Sequence, residues 1–571
     1  MKEYAVGNGN FSTMTIAATL VATYMSGSDF FTYLSESYNN GLYFIWAAAG
    51  DVIGLLIIAY LFAPRIGEFL GKLSIADAMG GLYGDKVRIV TSIASCIKSA
   101  GMIAVQLKVA GMLIEYGFDI PSSYGVLIAA VIVGFYTSLG GIKSVTFTDV
   151  IQLFTFGTII PTLAFFIFGS LESIDTVSTT IQNSPLFNYK EVFDFSNVKS
   201  LSYLFLFVYI VMPKFNPPIF QRMAMARNTR QVHKSFLITA IACLFITVTM
   251  SFIGIFVLSA EPAINPNDIV KHILSHYSYL GLKGLTLAGI MAMVMSTVDS
   301  YVNATSVLFI HDLCRPLKLK FANNELKATR VAAFFITAFA LLLTLTGQNL
   351  LNLIILTGSL YIPIVSIPFA FAVFGFRTSS KAVLISMAAG FSTVLFWRLV
   401  LHSDAIDSVV PSMLANLIFL MGSHYLLKQP GGWVGIKDPA PLISIRQQRK
   451  RNIASFFNKV VNFDCLIMFR KSTPVQESMY VAVSFFCIIV TYAAIFTLPK
   501  DIASKYASVI DTVYPSMLFL STALLSYPLW PRFLKASNAI VIVWNFVIFS
   551  ILICACFLFV LISNFASIQL T

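Results

Sequence analysis

The chain has 571 residues, 57% of them hydrophobic and only 11% charged, with a mean hydropathy of +0.81. Soluble domains carry about 25% charged residues, so this composition cannot present a solvated surface all round and excludes a soluble globular fold. The net charge of +12 does not point to nucleic acid, because Lys and Arg sit in short loops between apolar runs, where they orient a membrane protein.

The opening stretch, MKEYAVGNGNF, lacks the basic flank, apolar core and small-residue site of a cleavable signal peptide. Apolar runs of about 20 residues then follow one another, each long enough to cross a hydrocarbon core of roughly 30 Å. They predict spans at about 12–33, 43–63, 88–115, 122–139, 146–170, 200–221, 235–259, 279–310, 329–346, 349–375, 381–401 and 408–427. The loops QRMAMARNTRQVHK and HDLCRPLKLKFANNELKATR are strongly basic and are expected in the cytoplasm, two spans apart. Glu172, Asp175, Glu191 and Asp194 suit the loop near 173–199 to the outside. This orientation places Met1 and residues 431–475 inside. That segment carries Arg446, Arg449, Lys450, Arg451, Lys459, Arg470 and Lys471 with interleaved Phe456, Phe457, Phe463 and Met468. It reads equally as a plain linker or as a stretch lying on the anionic inner leaflet. Three further spans are expected at about 476–497, 510–528 and 537–565, with membrane lipid as their surroundings.

Chemistry is expected where spans are interrupted, because unwinding frees backbone carbonyls to hold a cation. The run Ala22-Thr23-Tyr24-Met25-Ser26-Gly27-Ser28-Asp29 is small and polar inside an apolar helix. It suits an unwound site, and it also suits a small-residue packing patch between helices. Ser296 and Thr297 supply adjacent hard oxygen donors; a local bond to the carbonyl one turn back is the simpler reading of an isolated Ser-Thr pair. Asp299, a carboxylate in the same apolar span, marks a pathway or a paired site. Asp149 stands at the start of the fifth span, where it could attract a cation or offset the helix dipole. Asp51, Lys98, Lys108 and Lys214 are further charges within spans, some placed to snorkel at span ends. The seven cysteines form no metal-spaced cluster, and no phosphate-cradling loop, zinc ligand set or catalytic triad occurs. The chain is therefore not expected to be an enzyme.

Three stretches resemble the sodium:solute symporter family: EYAVGNGNFSTMTIAATLVATYMSGSDFF, GGIKSVTFTDVIQ and MSTVDSYVNATSVLFIHDL. The resemblance covers about residues 1–430. It implies an all-α polytopic fold of the LeuT type, two inverted five-helix repeats with broken first helices, here about 12–172 and 200–376. It implies a sodium site from the carbonyls of Ala22, Met25 and Met293 and the hydroxyls of Ser296 and Thr297. It implies a coupling role for Asp149, to which the charge of Asp299 is added. A small organic solute, an amino acid such as proline, is expected beside Tyr24, Ser26, Asp29, Lys214 and Pro217.

Two departures stand out. Sodium/proline symporters carry an Asp where this chain has Tyr24, and family members have a helix before the broken one that is not found here. The extension at 476–571 resembles that of symporter–sensor kinase fusions. The alternative reading is thus the membrane input module of a signalling receptor with a cytoplasmic output domain. The expected location is the bacterial inner membrane.

Overall fold

The computed structural model describes residues 1–171, 174–277, 280–344, 350–401 and 405–435, with residues 447, 451 and 453–455. Met1–Ser278 and Lys283–Gln447 form one compact unit. Most of the basic linker and all three expected spans beyond residue 475 lie outside the described residues, as does the signalling alternative that rests on them.

A short helix α1 (Lys2–Val6) leads into α2 (Thr13–Tyr24), which Ser12 caps by accepting the Thr15 N–H at 3.0 Å. The expected first span does not continue through residue 33. Met25 and Ser26 are extended, and a new helix α3 (Gly27–Asn40) begins after them. The stop is local chemistry: the Ser26 hydroxyl accepts the Asp29 N–H, and the Asp29 carboxylate accepts the Ser26 N–H, a reciprocal cap that starts a helix afresh.

The next helix, α4 (Leu42–Ile57), runs on through a wider turn at Ile58–Phe62 and a tighter one at Ala63–Phe69. Then come α5 (Ile75–Tyr83), α6 (Asp85–Phe118), α7 (Ser122–Leu139) and α8 (Ile142–Gly169). Two short helices, α9 (Ile174–Asn183) and α10 (Tyr189–Val192), precede the second half.

The expected span 200–221 is also broken. α11 (Val198–Val211) stops before extended Met212, and α12 (Pro217–Ala224) restarts after it. Prolines make both ends. Pro213 pushes Met212 out of the helical region, while Pro217 and Pro218 begin a helix whose first N–H groups would be unpaired in any case. The remaining helices are α13 (Thr229–Ala260), α14 (Ile269–His276), α15 (Leu280–Leu308), α16 (Glu325–Thr344), α17 (Leu350–Val373), α18 (Ser380–Leu399) and α19 (Ala405–Leu426). One departure from an all-helical chain is a two-residue antiparallel ladder pairing Phe376–Arg377 with Gly432–Trp433.

Nine helices among the described residues are long and apolar enough to cross a membrane. Their faces agree with that solvent. Along α16, Ala328, Thr329, Ala332, Ala333, Thr337 and Ala340 are buried, while Val331, Phe334, Phe335, Phe339 and Leu342 are exposed. Small residues let helix backbones approach, and lipid accepts the large ones. Two sets of five transmembrane segments result, each opening on a broken helix: α2/α3, α4, α6, α7 and α8, then α11/α12, α13, α15, α16 and α17. The later segments α18 and α19 pack against each other and on α17.

Candidate functional site

Where α2 ends, the helical pattern would have the Ser26 N–H bond to the Ala22 carbonyl. That N–H is held instead by the Asp29 carboxylate at 2.8 Å. The Ala22 carbonyl is turned to another partner, the Ser296 hydroxyl of α15, which donates to it at 2.6 Å. Ser296 also lies 3.1 Å from the Met293 carbonyl, to which Thr297 donates at 3.0 Å. Ala22, Met293, Ser296 and Thr297 are all fully buried. Two carbonyls and two hydroxyls from two helices thus meet at one point, all neutral and all hard oxygens. Met25, the fifth residue of the expected set, sits at the break in extended backbone (φ −87°, ψ 100°), which aims its carbonyl out of the helical ladder.

Close packing holds this junction. Gly27 has no room for a side chain: a Cβ there would collide with Val294 of α15 and lie 3.2 Å from Gln106 of α6. Gln106 exchanges two bonds with Ser28, donating to its hydroxyl at 2.8 Å and accepting its N–H at 3.3 Å. Sequence reading passed over Gln106, although a buried amide in an apolar span is itself a signal.

The expected substrate residues fall into two groups. Ser26 and Asp29 bond to each other, so the Asp29 carboxylate is committed to the start of α3. Tyr24 and Lys214 converge on Asp51 of α4. Lys214 pairs with it at 2.5 Å, the Tyr24 hydroxyl donates to it at 3.1 Å, and Tyr33 donates to its other oxygen at 3.0 Å. The Lys214 ammonium also lies 5.4 Å from the centre of the Tyr24 ring. Asp51 therefore brings a carboxylate beside Tyr24, from another helix. Pro217 is buried at the first position of α12.

Asp149 does not begin a helix. α8 starts at Ile142, so Asp149 lies two turns inside and fully buried, which rules out a helix-end role. It accepts from Thr19 of α2 and pairs with Arg222 of α12 at 3.2 Å. Arg222 is also fully buried; it donates to Ser300 at 2.6 Å, to Thr19 at 3.2 Å and to Gln221 at 3.0 Å. Thr23 joins Ser300 at 3.0 Å. Asp299 makes its hydrogen bonds elsewhere, accepting from Tyr136 and Thr137 of α7. Arg222 was legible only as part of a basic loop; its fully buried position was not.

Two sets of five segments, each opening on a broken helix, define a fold of the LeuT type. Solved structures agree: a Na+-coupled sialic acid symporter superposes with a TM-score of 0.66 at 18% identity, over 74% of this chain and 92% of that one. A nucleobase-cation-symport-1 family transporter in a closed conformation superposes at 0.51 and 13% identity, over 77% and 96%. The chain belongs to the sodium:solute symporter family, whose profile matches residues 4–390. Relatives include the sodium/pantothenate symporter of Haemophilus influenzae, 25% identical over 74% of this chain and 90% of that protein. The high-affinity proline transporter of Bacillus subtilis is 21% identical over 75% and 93%. The human sodium/iodide cotransporter is 24% identical over 73% and 69%. The chain is a multi-pass membrane protein of a family of transporters, not of enzymes.

Proposed function

We propose that the protein is a sodium-coupled symporter of a small organic solute of the amino-acid class, such as proline, working by alternating access in a bacterial inner membrane. The observation that carries this reading is the meeting of the Ala22 and Met293 carbonyls with the Ser296 and Thr297 hydroxyls across the break in the first span. Sodium bound there, with the Met25 carbonyl as fifth ligand, ties α2 to α15. The solute lies beside it, next to Tyr24, Ser26, Asp29, Lys214 and Pro217. The Arg222–Asp149 pair, which joins α12 to α8, is a contact that has to open or shift when one bundle rocks against the other. Asp149, with Asp299, would couple the two loads through these contacts. Sodium entering down its gradient supplies about 2.3 kcal/mol per charge per 100 mV.

Uptake of labelled amino acids into proteoliposomes, with and without an inward sodium gradient, tests the reading. Accumulation should require the gradient, and Thr297→Ala should raise the sodium concentration for half-maximal uptake about tenfold. An unchanged sodium dependence in that variant removes Thr297 from the site.

A further inference from the structure

Four charged side chains from four segments surround the two helix breaks: Asp29, Asp51, Lys98 and Lys214. Three are accounted for. Asp51 and Lys214 pair with each other, and Asp29 is bonded by the Ser26 N–H and hydroxyl at the positive end of α3. Lys98 of α6 is not. It is 4% exposed, and among the described residues no carboxylate lies within ion-pair distance of it. Among the described residues its ammonium donates only to the Ile354 carbonyl of α17, at a long 3.3 Å. A lysine ammonium has three protons to donate and is costly to bury without a counter-charge.

A second polar group reaches the same stretch of α17. Gly358 of α17 has no side chain between the Tyr209 hydroxyl and the Lys98 ammonium; a Cβ there would meet the hydroxyl and lie 3.6 Å from the ammonium. Neither helix start at the two breaks is open to an anion. Asp29 already occupies the start of α3, and α12 opens on Pro217 and Pro218, which have no N–H to offer. The sodium ligands of the proposed site are neutral, so a bound sodium adds a second uncompensated positive charge nearby.

We infer that Lys98 is the counter-ion of the transported solute and that this solute carries a carboxylate, which Lys98 and the Tyr209 hydroxyl bind between α6, α11 and α17. The inference rests on the symport reading and narrows its substrate class: a solute without an anionic group is a poor substrate.

The test uses the full chain in proteoliposomes with labelled L-proline and labelled pantothenate as probes, each competed with its carboxylate-free counterpart, L-prolinamide and pantothenol. For a probe that is taken up, the counterpart should compete about 30-fold more weakly than the unlabelled probe. Lys98→Gln should abolish that discrimination, and Lys98→Arg should keep it. Equal competition by the counterpart, or unchanged discrimination in Lys98→Gln, overturns the inference. A second measurement needs no solute: purified Lys98→Met should melt at or above the wild-type temperature, because it removes a buried charge held ready for a guest. A lower melting temperature would make Lys98 a structural donor to α17 and overturn the inference, including where neither probe is taken up. Sodium-induced thermal stabilisation of the wild type, and its loss in Thr297→Ala, is read in the same melts. Absence of carboxylate discrimination in the wild type, with an intact sodium effect, sinks the carboxylate site alone; an absent sodium effect with intact discrimination sinks the coupling alone.

Discussion

The junction at Ala22 and Ser296 and the cluster at Asp149 and Arg222 both face α2, yet they are built from opposite materials. The first holds carbonyls and hydroxyls and no charge. The second holds a fully buried ion pair wrapped in hydroxyls and an amide. A site that must release its ion every cycle is served by neutral dipoles, which bind without a large desolvation cost on emptying. A contact between two segments of the chain can use full charges, because neither partner leaves the protein when the contact shifts. The two regions therefore differ in how they should fail: one loses ion affinity, the other loses the fold.

The charged region should fail hardest. Arg222→Met leaves Asp149 buried without its partner, and breaking a buried pair from one side costs about 3–5 kcal/mol. The expected outcome is a sharp drop in melting temperature and in the yield of monodisperse protein in detergent. Arg222→Gln with Asp149→Asn should recover most of that loss, since both charges go together. If the single and double variants melt alike, the pair is not what compensates Asp149.

The neutral region should fail more quietly. Ser296→Ala removes the hydroxyl that spans α15 and α2, whereas Thr297→Ala removes one bonded within α15. Each loss of a neutral bond costs about 1 kcal/mol. Sodium titrations of uptake should show both variants weakened, with Ser296→Ala the weaker of the two. Equal, unshifted sodium curves would dissolve the contrast between the regions. Gly27→Ala sharpens it from the packing side. The added methyl collides with Val294, next to Met293, and overpacking of this kind costs about 1–3 kcal/mol. The expected readout is a weaker sodium response in a protein that still folds.

How much of this was readable in the sequence follows the same division. The first break is written in contiguous residues, Met25-Ser26-Gly27-Ser28-Asp29, whereas for Ser296 and Thr297 the local pattern favoured bonds one turn back and only the family resemblance pointed to a ligand role. The second break was equally local: Pro213, Pro217 and Pro218 mark it, but the apolar run around them reads as one continuous span. Partners across the fold were not legible. Nothing near Tyr24 in sequence says that Asp51 supplies a carboxylate there, since they meet only when α4 packs beside the break. Arg222 reads as the first charge of a basic loop, because hydropathy measures neighbours along the chain and not the Asp149 waiting in α8. Buried ion pairs of high sequence separation are invisible to periodicity for that reason.

Outside the spans, the two regions can be compared with an exposed pair where solvent shares the work. Glu261 follows α13 and accepts from His272 and Tyr277, each at 2.9 Å. The hydrogen bond from His272 holds its carboxyl below the usual carboxylate value. A carboxylate depressed by folding adds stability above its unfolded pKa of about 4.3, and that stability is lost as pH falls through the lower folded value. Melting temperatures should therefore fall on acidification below about pH 4 in the wild type and fall less in Glu261→Gln. Glu261 is well exposed to water, so the effect should be the smallest of the series and shrink with added salt. An acid response identical in the two proteins would mean that solvent screens this pair fully. The contrast with Arg222 and Asp149 would then rest on burial, since only that pair is sealed from water.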